Sequence, residues 1–129
     1  MMKRLHNLLL ALATASLVAT ASCGRVMHLG SDEPAAQVIF TNQSLDQADV
    51  YTVTDAGVGR RLGTVFAGRT DTLDVPVEVV SRGGTVNIVA RLLARSFNPS
   101  TGPLVISSGE VLKVTLPSGE QTLTVLPGQ

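Results

Sequence analysis

From Gln37 onward the chain alternates between apolar and polar residues, and this period of two restricts the fold more than any other feature. The alternation is interrupted at short intervals by Gly, Pro, Asn, Asp and Ser, which favour turns. An amphipathic helix would instead place apolar residues three and four positions apart. The pattern therefore predicts an all-β domain, which we expect to be a small antiparallel sandwich of about seven to nine short strands.

The predicted strands follow one another closely. We place them at residues 37–41, 48–54, 61–66, 70–75, 85–93, 104–107, 110–116 and 121–126, with 77–80 as a further candidate after Pro76. Residues 95–102 are expected to form a loop, and residues 89–95 are equally compatible with a short helix. The connections are too short for the crossovers that parallel strands need, so we expect antiparallel pairing.

The predicted core consists mainly of aliphatic side chains, because the sequence contains no Trp and only one Tyr and three Phe. In the predicted strand 85–93 one face would be apolar and the other mixed. The two sets are Val86, Ile88, Ala90 and Leu92 against Asn87, Val89, Arg91 and Leu93. The single cysteine, Cys23, has no partner in the chain, so no disulfide supports this core.

The N-terminal segment has the features of a secretory signal. Lys3 and Arg4 are followed at residues 8–21 by an uninterrupted run of Leu, Ala, Val, Thr and Ser. A helix that spans a bilayer needs about 20 apolar residues, so this shorter run favours a cleaved signal over a permanent membrane anchor. We expect residues 1–22 to be removed.

The segment at residues 20–24, TASCG, resembles the lipobox of bacterial lipoproteins. The resemblance implies that Cys23 is lipidated, becomes the new N-terminus and attaches the protein to a membrane. In that family Gly24 after the cysteine implies the outer membrane. The alternative is an A-x-A site at residues 19–21, where ordinary signal peptidase would cut after Ala21 and leave a free thiol.

The remaining chain divides into two parts. Residues 23–36 lack periodicity and are expected to form a lipid-anchored, flexible tether, and residues 37–129 form the predicted β domain. The strand pattern of this domain resembles the immunoglobulin-like sandwiches of bacterial envelope lipoproteins. It lacks the Cys-Trp-Cys core of antibody domains, and the resemblance brings no ligand motif with it.

Charge argues against a nucleic-acid partner. The full chain carries ten basic and ten acidic residues, and loss of Lys3 and Arg4 would leave eight against ten, a net charge of −2. Proteins that bind nucleic acids normally show a basic excess, because their affinity depends on neutralising phosphates. We therefore expect no nucleic-acid partner; the partners we expect are a membrane, through the lipid on Cys23, and another protein of the envelope.

No residue pattern indicates catalysis, a cofactor or a metal. The only histidine after residue 22 is His28, which lies in the predicted tether and is too loosely held to act as a general base. His28, Asp32 and Glu33 match no metal-ligand spacing. Asn42-Gln43-Ser44 has the form of a glycosylation sequon and is better explained as a turn. Cys23, for lipid attachment, is thus the one predicted site, and we expect a non-enzymatic protein.

Six of the eight basic residues after the signal are arginines of the predicted β domain, and they leave two hypotheses for function. They are Arg60, Arg61, Arg69, Arg82, Arg91 and Arg95. If residues 85–95 are extended, Arg91 and Arg95 share one face, which would suit an acidic glycan or another small ligand. The simpler interpretation is that the guanidinium groups pair with acids across strands, and the domain is then a structural or interaction module.

Overall fold

The computed structural model describes residues 34–119 and 121–128. The predicted signal at residues 1–22, Cys23 and most of the predicted tether lie outside these residues. Within the described chain there are eight strands and one short helix, in the order β1 Ala36–Asn42, β2 Ala48–Thr54, β3 Gly59–Val65, β4 Thr70–Val75, α1 Val77–Val80, β5 Val86–Leu92, β6 Ser100–Leu104, β7 Val111–Leu116 and β8 Thr124–Pro127. No described helix is long and apolar enough to cross a bilayer.

The strands form two four-stranded sheets, which confirms the predicted small all-β sandwich. The first sheet has the order β4-β1-β7-β8 and the second has the order β3-β2-β5-β6. All strand pairs are antiparallel except β1 with β7, where Gln37 lies opposite Val111 in parallel register. Short connections exclude parallel pairing only between consecutive strands, and the long chain between β1 and β7 supplies the crossover.

Aliphatic residues from both sheets fill the space between them. Burial alternates along each central strand, as predicted for β5, whose four even-numbered apolar residues face the core and whose other residues face solvent. Val38 and Val114 in the first sheet and Val50 and Ile88 in the second are completely buried, together with Phe40. Each such side chain contributes about 1.5–3 kcal/mol through its burial. Because β5 continues to Leu92, the alternative helix at 89–95 is wrong.

The candidate strand at residues 77–80 is wrong, because these residues form the single helical turn α1. Pro76 has no N–H with which to continue the ladder, and the Ser81 N–H donates to the Val77 carbonyl at 2.8 Å. Val79, 8% exposed, then packs against the core. The turn carries the chain from β4 in the first sheet to β5 in the second.

The sixth strand lies at Ser100–Leu104 rather than at 104–107, so the predicted loop at 95–102 is too long. Pro99 is buried, and its carbonyl accepts the Ala90 N–H at 2.9 Å. At the next position of the β5–β6 pair a side chain takes the place of a backbone carbonyl, since the Ile88 N–H donates to the Thr101 hydroxyl at 3.0 Å. Gly102, with φ of 75°, and the following proline disrupt the alternation on which the prediction depended. The last strand likewise begins at Thr124 rather than at residue 121.

The strand directions define two ends of the sandwich. The N-terminal end carries Pro34, where the described chain begins, together with the connections at 55–58, 76–85 and 105–110. The distal end carries the connections at 43–47, 66–69, 93–99 and 117–123. β1 runs from the first end to the second, and its seven residues span about 23 Å.

Candidate functional site

The predicted lipid-attachment residue Cys23 and the polar residues His28, Asp32 and Glu33 lie outside the described part of the chain. Among the described residues, no three His, Cys, Asp or Glu side chains are grouped as metal ligands would be. Asn42 is completely buried, which agrees with a turn rather than a glycosylated position.

The arginines do not form one common face. Arg61 pairs with Asp49 on the adjacent strand at 3.0 Å, and Arg95 pairs with Asp46 at 2.9 Å. Arg91 lies on β5, whereas Arg95 lies in the turn after that strand has ended, so the prediction of a shared strand face is wrong. Cross-strand pairing with acids, the simpler interpretation, is confirmed for Arg61, and Arg95 instead joins two loops.

The distal end exposes three large apolar side chains. Leu45 is 88% exposed, Phe66 is 62% exposed and Leu93 is 80% exposed. Phe66 directly follows β3 and Leu93 directly follows β5, while Gln47 directly precedes β2, the strand that pairs with both. Neighbouring strands are about 4.8 Å apart, so the Cα atoms of Phe66 and Leu93 lie about 10 Å apart. We call Leu45, Phe66 and Leu93 the distal apolar cluster.

A buried amide holds the loop that displays Leu45. The Asn42 side-chain N–H groups donate to the carbonyls of Asp46 at 2.8 Å and Val65 at 3.0 Å. Its Oδ1 accepts the Ser44 N–H at 3.0 Å and the Ser44 hydroxyl at 2.7 Å. All four hydrogen-bonding positions of the amide are therefore used. The β1–β2 loop is fixed on both β1 and the end of β3.

Two further contacts join the loops of the distal end. The Leu93 N–H donates to the Gln47 carbonyl at 3.2 Å, which extends the β2–β5 ladder beyond the strands. The Arg95–Asp46 ion pair connects the β5–β6 loop to the β1–β2 loop, and the Arg95 guanidinium lies 5.8 Å from the Phe97 ring centroid. The backbone beneath the distal apolar cluster is thus held by contacts within the domain itself.

The perturbed carboxylates of the domain are committed to structural hydrogen bonds. The Thr64 hydroxyl and the Arg61 guanidinium hold the pKa of Asp49 below its usual value. At the N-terminal end, the hydroxyl and N–H of Thr85 lower the pKa of Asp55 in the same way. Such acids remain ionised and accept hydrogen bonds, which suits bracing of strands and turns.

The fold and this site define a class of protein, a small two-sheet β-sandwich whose loops carry exposed apolar side chains. Neither a family model nor a curated protein matches the chain. One similar solved structure is described as an NMR structure of a protein from Eubacterium rectale. It is 8% identical, the alignment covers 77% of this chain and 93% of that chain, and the TM-score is 0.43. The fold class itself follows from the strand pairing.

The distal apolar cluster and the role of Asn42 were not predicted from the sequence. Leu45 stands alone among turn residues, and Phe66 and Leu93 looked like ends of strands. One signal was available, because an Asn followed two residues later by Ser commonly forms a side-chain turn of this kind. The gathering of the three apolar residues depends on strand order, which no local pattern specifies.

Proposed function

We propose that the protein is a non-enzymatic lipoprotein of the cell envelope, anchored through Cys23, whose distal end binds another envelope protein. The observation that carries this proposal is the distal apolar cluster. Isolated apolar residues are common on protein surfaces, but three exposed on braced loops at one end of the sandwich give a partner a larger apolar area to contact than any one of them. Contact with an apolar surface of a partner would remove this area from water.

The position of the two ends of the domain relative to Cys23 supports a partner at the distal end. Pro34 lies eleven positions after Cys23, which limits their distance to about 40 Å. The N-terminal end is therefore the part of the domain that a lipid on Cys23 would keep close to the membrane. The distal end lies about 23 Å farther along β1, where a partner can reach it.

The energetics suit a contact that membrane attachment reinforces. Burial of three large apolar side chains contributes about 1.5–3 kcal/mol each, from which association entropy must be subtracted. The remainder corresponds to weak binding between free molecules. Confinement of both proteins to one envelope raises their effective concentration, and the braced loops lower the ordering cost.

The sheet edges are less suited to a partner than the loops. β3 is bulged at Leu62, β4 carries Asp71, β6 contains Pro103, and β8 is a four-residue strand that ends at Pro127. Bulges, edge charges, prolines and short strands all hinder the addition of another strand. We therefore assign the contact to the loops.

The anchor is tested by measuring the intact mass of the protein from detergent-solubilised membranes of its native host. We expect a chain that begins at Cys23 and carries acyl groups. The Cys23→Ala variant should lose both the acyl mass and retention in the membrane fraction. A soluble chain that begins at Ser22 with an unmodified thiol would refute the anchor.

The contact is tested in the same membranes with a photo-crosslinking residue at Gln47, between Phe66 and Leu93. We expect one discrete adduct with another envelope protein, lost in the Leu93→Asp variant. The matched control is Val105→Asp, which alters an apolar side chain of 71% exposure at the opposite end. An adduct that survives Leu93→Asp, or no adduct, would exclude the distal end as the contact surface.

A further inference from the structure

A second site lies at the N-terminal end of the sandwich, and it is independent of the distal contact. A cavity of about 200 Å³ opens between the β2–β3 turn and the helix α1. Its lining comprises Thr54, Val58, Gly59, Arg60, Glu78, Val79 and Arg82. Typical pockets for drug-sized ligands are roughly 300–1,000 Å³, so this one admits a molecule about as large as one sugar residue.

Two guanidinium groups reach this cavity from different elements. Arg60 lies opposite the buried Thr52 in the β2–β3 register, so its side chain leaves the strand on the core side, near α1. Arg82 lies in the turn that follows α1. Unlike Arg61 and Arg95, neither forms an ion pair with any described residue. Each guanidinium group can bind a carboxylate through two parallel N–H···O hydrogen bonds.

The other residues that line the cavity further restrict the class of ligand that it can bind. Glu78 contributes one negative charge, which would repel a dianion such as phosphate but would accept hydrogen bonds from hydroxyl groups. Val58 and Val79 offer an apolar wall for a carbon skeleton. We propose that this cavity binds a small carboxylate that also carries hydroxyl groups, as a single sugar acid does.

The walls of the cavity are held in place without a ligand. The Asp55 carboxylate accepts the Thr85 N–H at 3.0 Å and the Thr85 hydroxyl, which joins the β2–β3 turn to the segment after α1. Val79 secures α1 in the core. Little ordering is therefore required on binding, which favours a small ligand.

The test is an amide-resonance titration of the full-length protein in detergent with glucuronate, glucose and inorganic phosphate. We expect glucuronate to bind with a Kd on the order of 1 mM and to shift resonances of the cavity lining. Arg60→Gln and Arg82→Gln should each weaken binding about tenfold. Arg69→Gln at the distal end is the matched control and should change nothing. Glu78→Gln should allow phosphate to bind.

Equal binding of glucose, or glucuronate binding that survives both arginine substitutions, would overturn the proposal, as would no cavity shifts at all. The methyl glycoside of glucuronate separates two sources of the same chemistry. If it binds like the free acid, the ligand is the end of an acidic glycan, and if only the free acid binds, the ligand is a free small molecule. Leu93→Asp should leave these titrations unchanged. The proposed distal contact and the proposed ligand site in this cavity are therefore tested independently.

Discussion

Asp49 lies at the centre of a small polar network on the solvent face of the second sheet. Its carboxylate accepts the Thr64 hydroxyl at 2.5 Å and the Arg61 guanidinium at 3.0 Å, and Arg91 stands opposite on β5. The carboxylate group is 30% exposed, so solvent only partly screens these contacts. The network joins β3 to β2, the strand on which Tyr51 also lies.

This network makes stability depend on pH in a defined direction. The Thr64 hydroxyl and then Arg61 lower the folded-state pKa of Asp49 below the unfolded value of about 3.9. The network therefore stabilises the folded chain above that pH, and the contribution is lost as the pH falls through the folded pKa. We expect Asp49→Asn to lower the urea midpoint at neutral pH, with the difference shrinking below about pH 4.

Asp71→Asn, at the exposed edge strand β4, provides the comparison for that experiment. The urea midpoint of this variant should equal that of the original protein at each pH in the same range. If Asp49→Asn and the original protein differ by the same amount at every pH, the network does not act through the ionised carboxylate.

At the scale of elements, the β1–β2 loop depends on one buried side chain. Replacement of Asn42 by Ala would leave the Ser44 N–H without its acceptor and the Val65 carbonyl without the amide N–H, whereas the Asp46 carbonyl would still accept the Ser44 hydroxyl at 3.1 Å. Each buried polar group deprived of its hydrogen bond costs about 1–3 kcal/mol. We expect Asn42→Ala to reduce the free energy of unfolding by about 2–3 kcal/mol in urea titrations.

The neighbouring residue provides a matched control. Gln43 is exposed, and only its backbone N–H bonds to the fold, so Gln43→Ala should change stability by less than about 0.5 kcal/mol. The Asn42→Ala substitution should also weaken the contact that the β1–β2 loop makes with a partner, even in protein that is still folded. In folded Asn42→Ala protein, the photo-crosslink from Gln47 should weaken, and an unchanged crosslink together with unchanged stability would show that the buried amide does not fix this loop.

For the whole molecule, the central strand β1 joins distant parts of the chain. It pairs with β4 on one side and with β7 on the other, and its buried side chains meet those of the second sheet in one core. Contacts of such long sequence separation give slow but cooperative folding. The two sheets should consequently unfold together.

Tyr51 permits a direct test of this cooperativity, because it is the only Tyr, no Trp is present, and it lies on the second sheet. Val38→Ala removes a completely buried side chain from the first sheet and should cost about 2 kcal/mol. We expect the urea midpoints of Tyr51 fluorescence and of far-ultraviolet circular dichroism to fall together. Ile39→Ala, on the outer face, should lower both less. Separate midpoints would indicate sheets that unfold independently.

The sequence by itself determined the fold class, most of the strands and the inward face of β5. These follow from local alternation and from turn residues, because a side chain's face in a strand depends only on its parity. The predicted signal and Cys23 anchor also depend on local pattern, and they stay predictions for the mass measurement to decide.

Tertiary structure decided the rest, because it concerns residues that are distant in sequence. The parallel β1–β7 pair, the helical turn after Pro76 and the shifted β6 depend on partners that local periodicity does not specify. The same is true of both proposed sites. Strand order brings Leu45, Phe66 and Leu93 to one end, and it brings Arg60 and Arg82 to one cavity at the other.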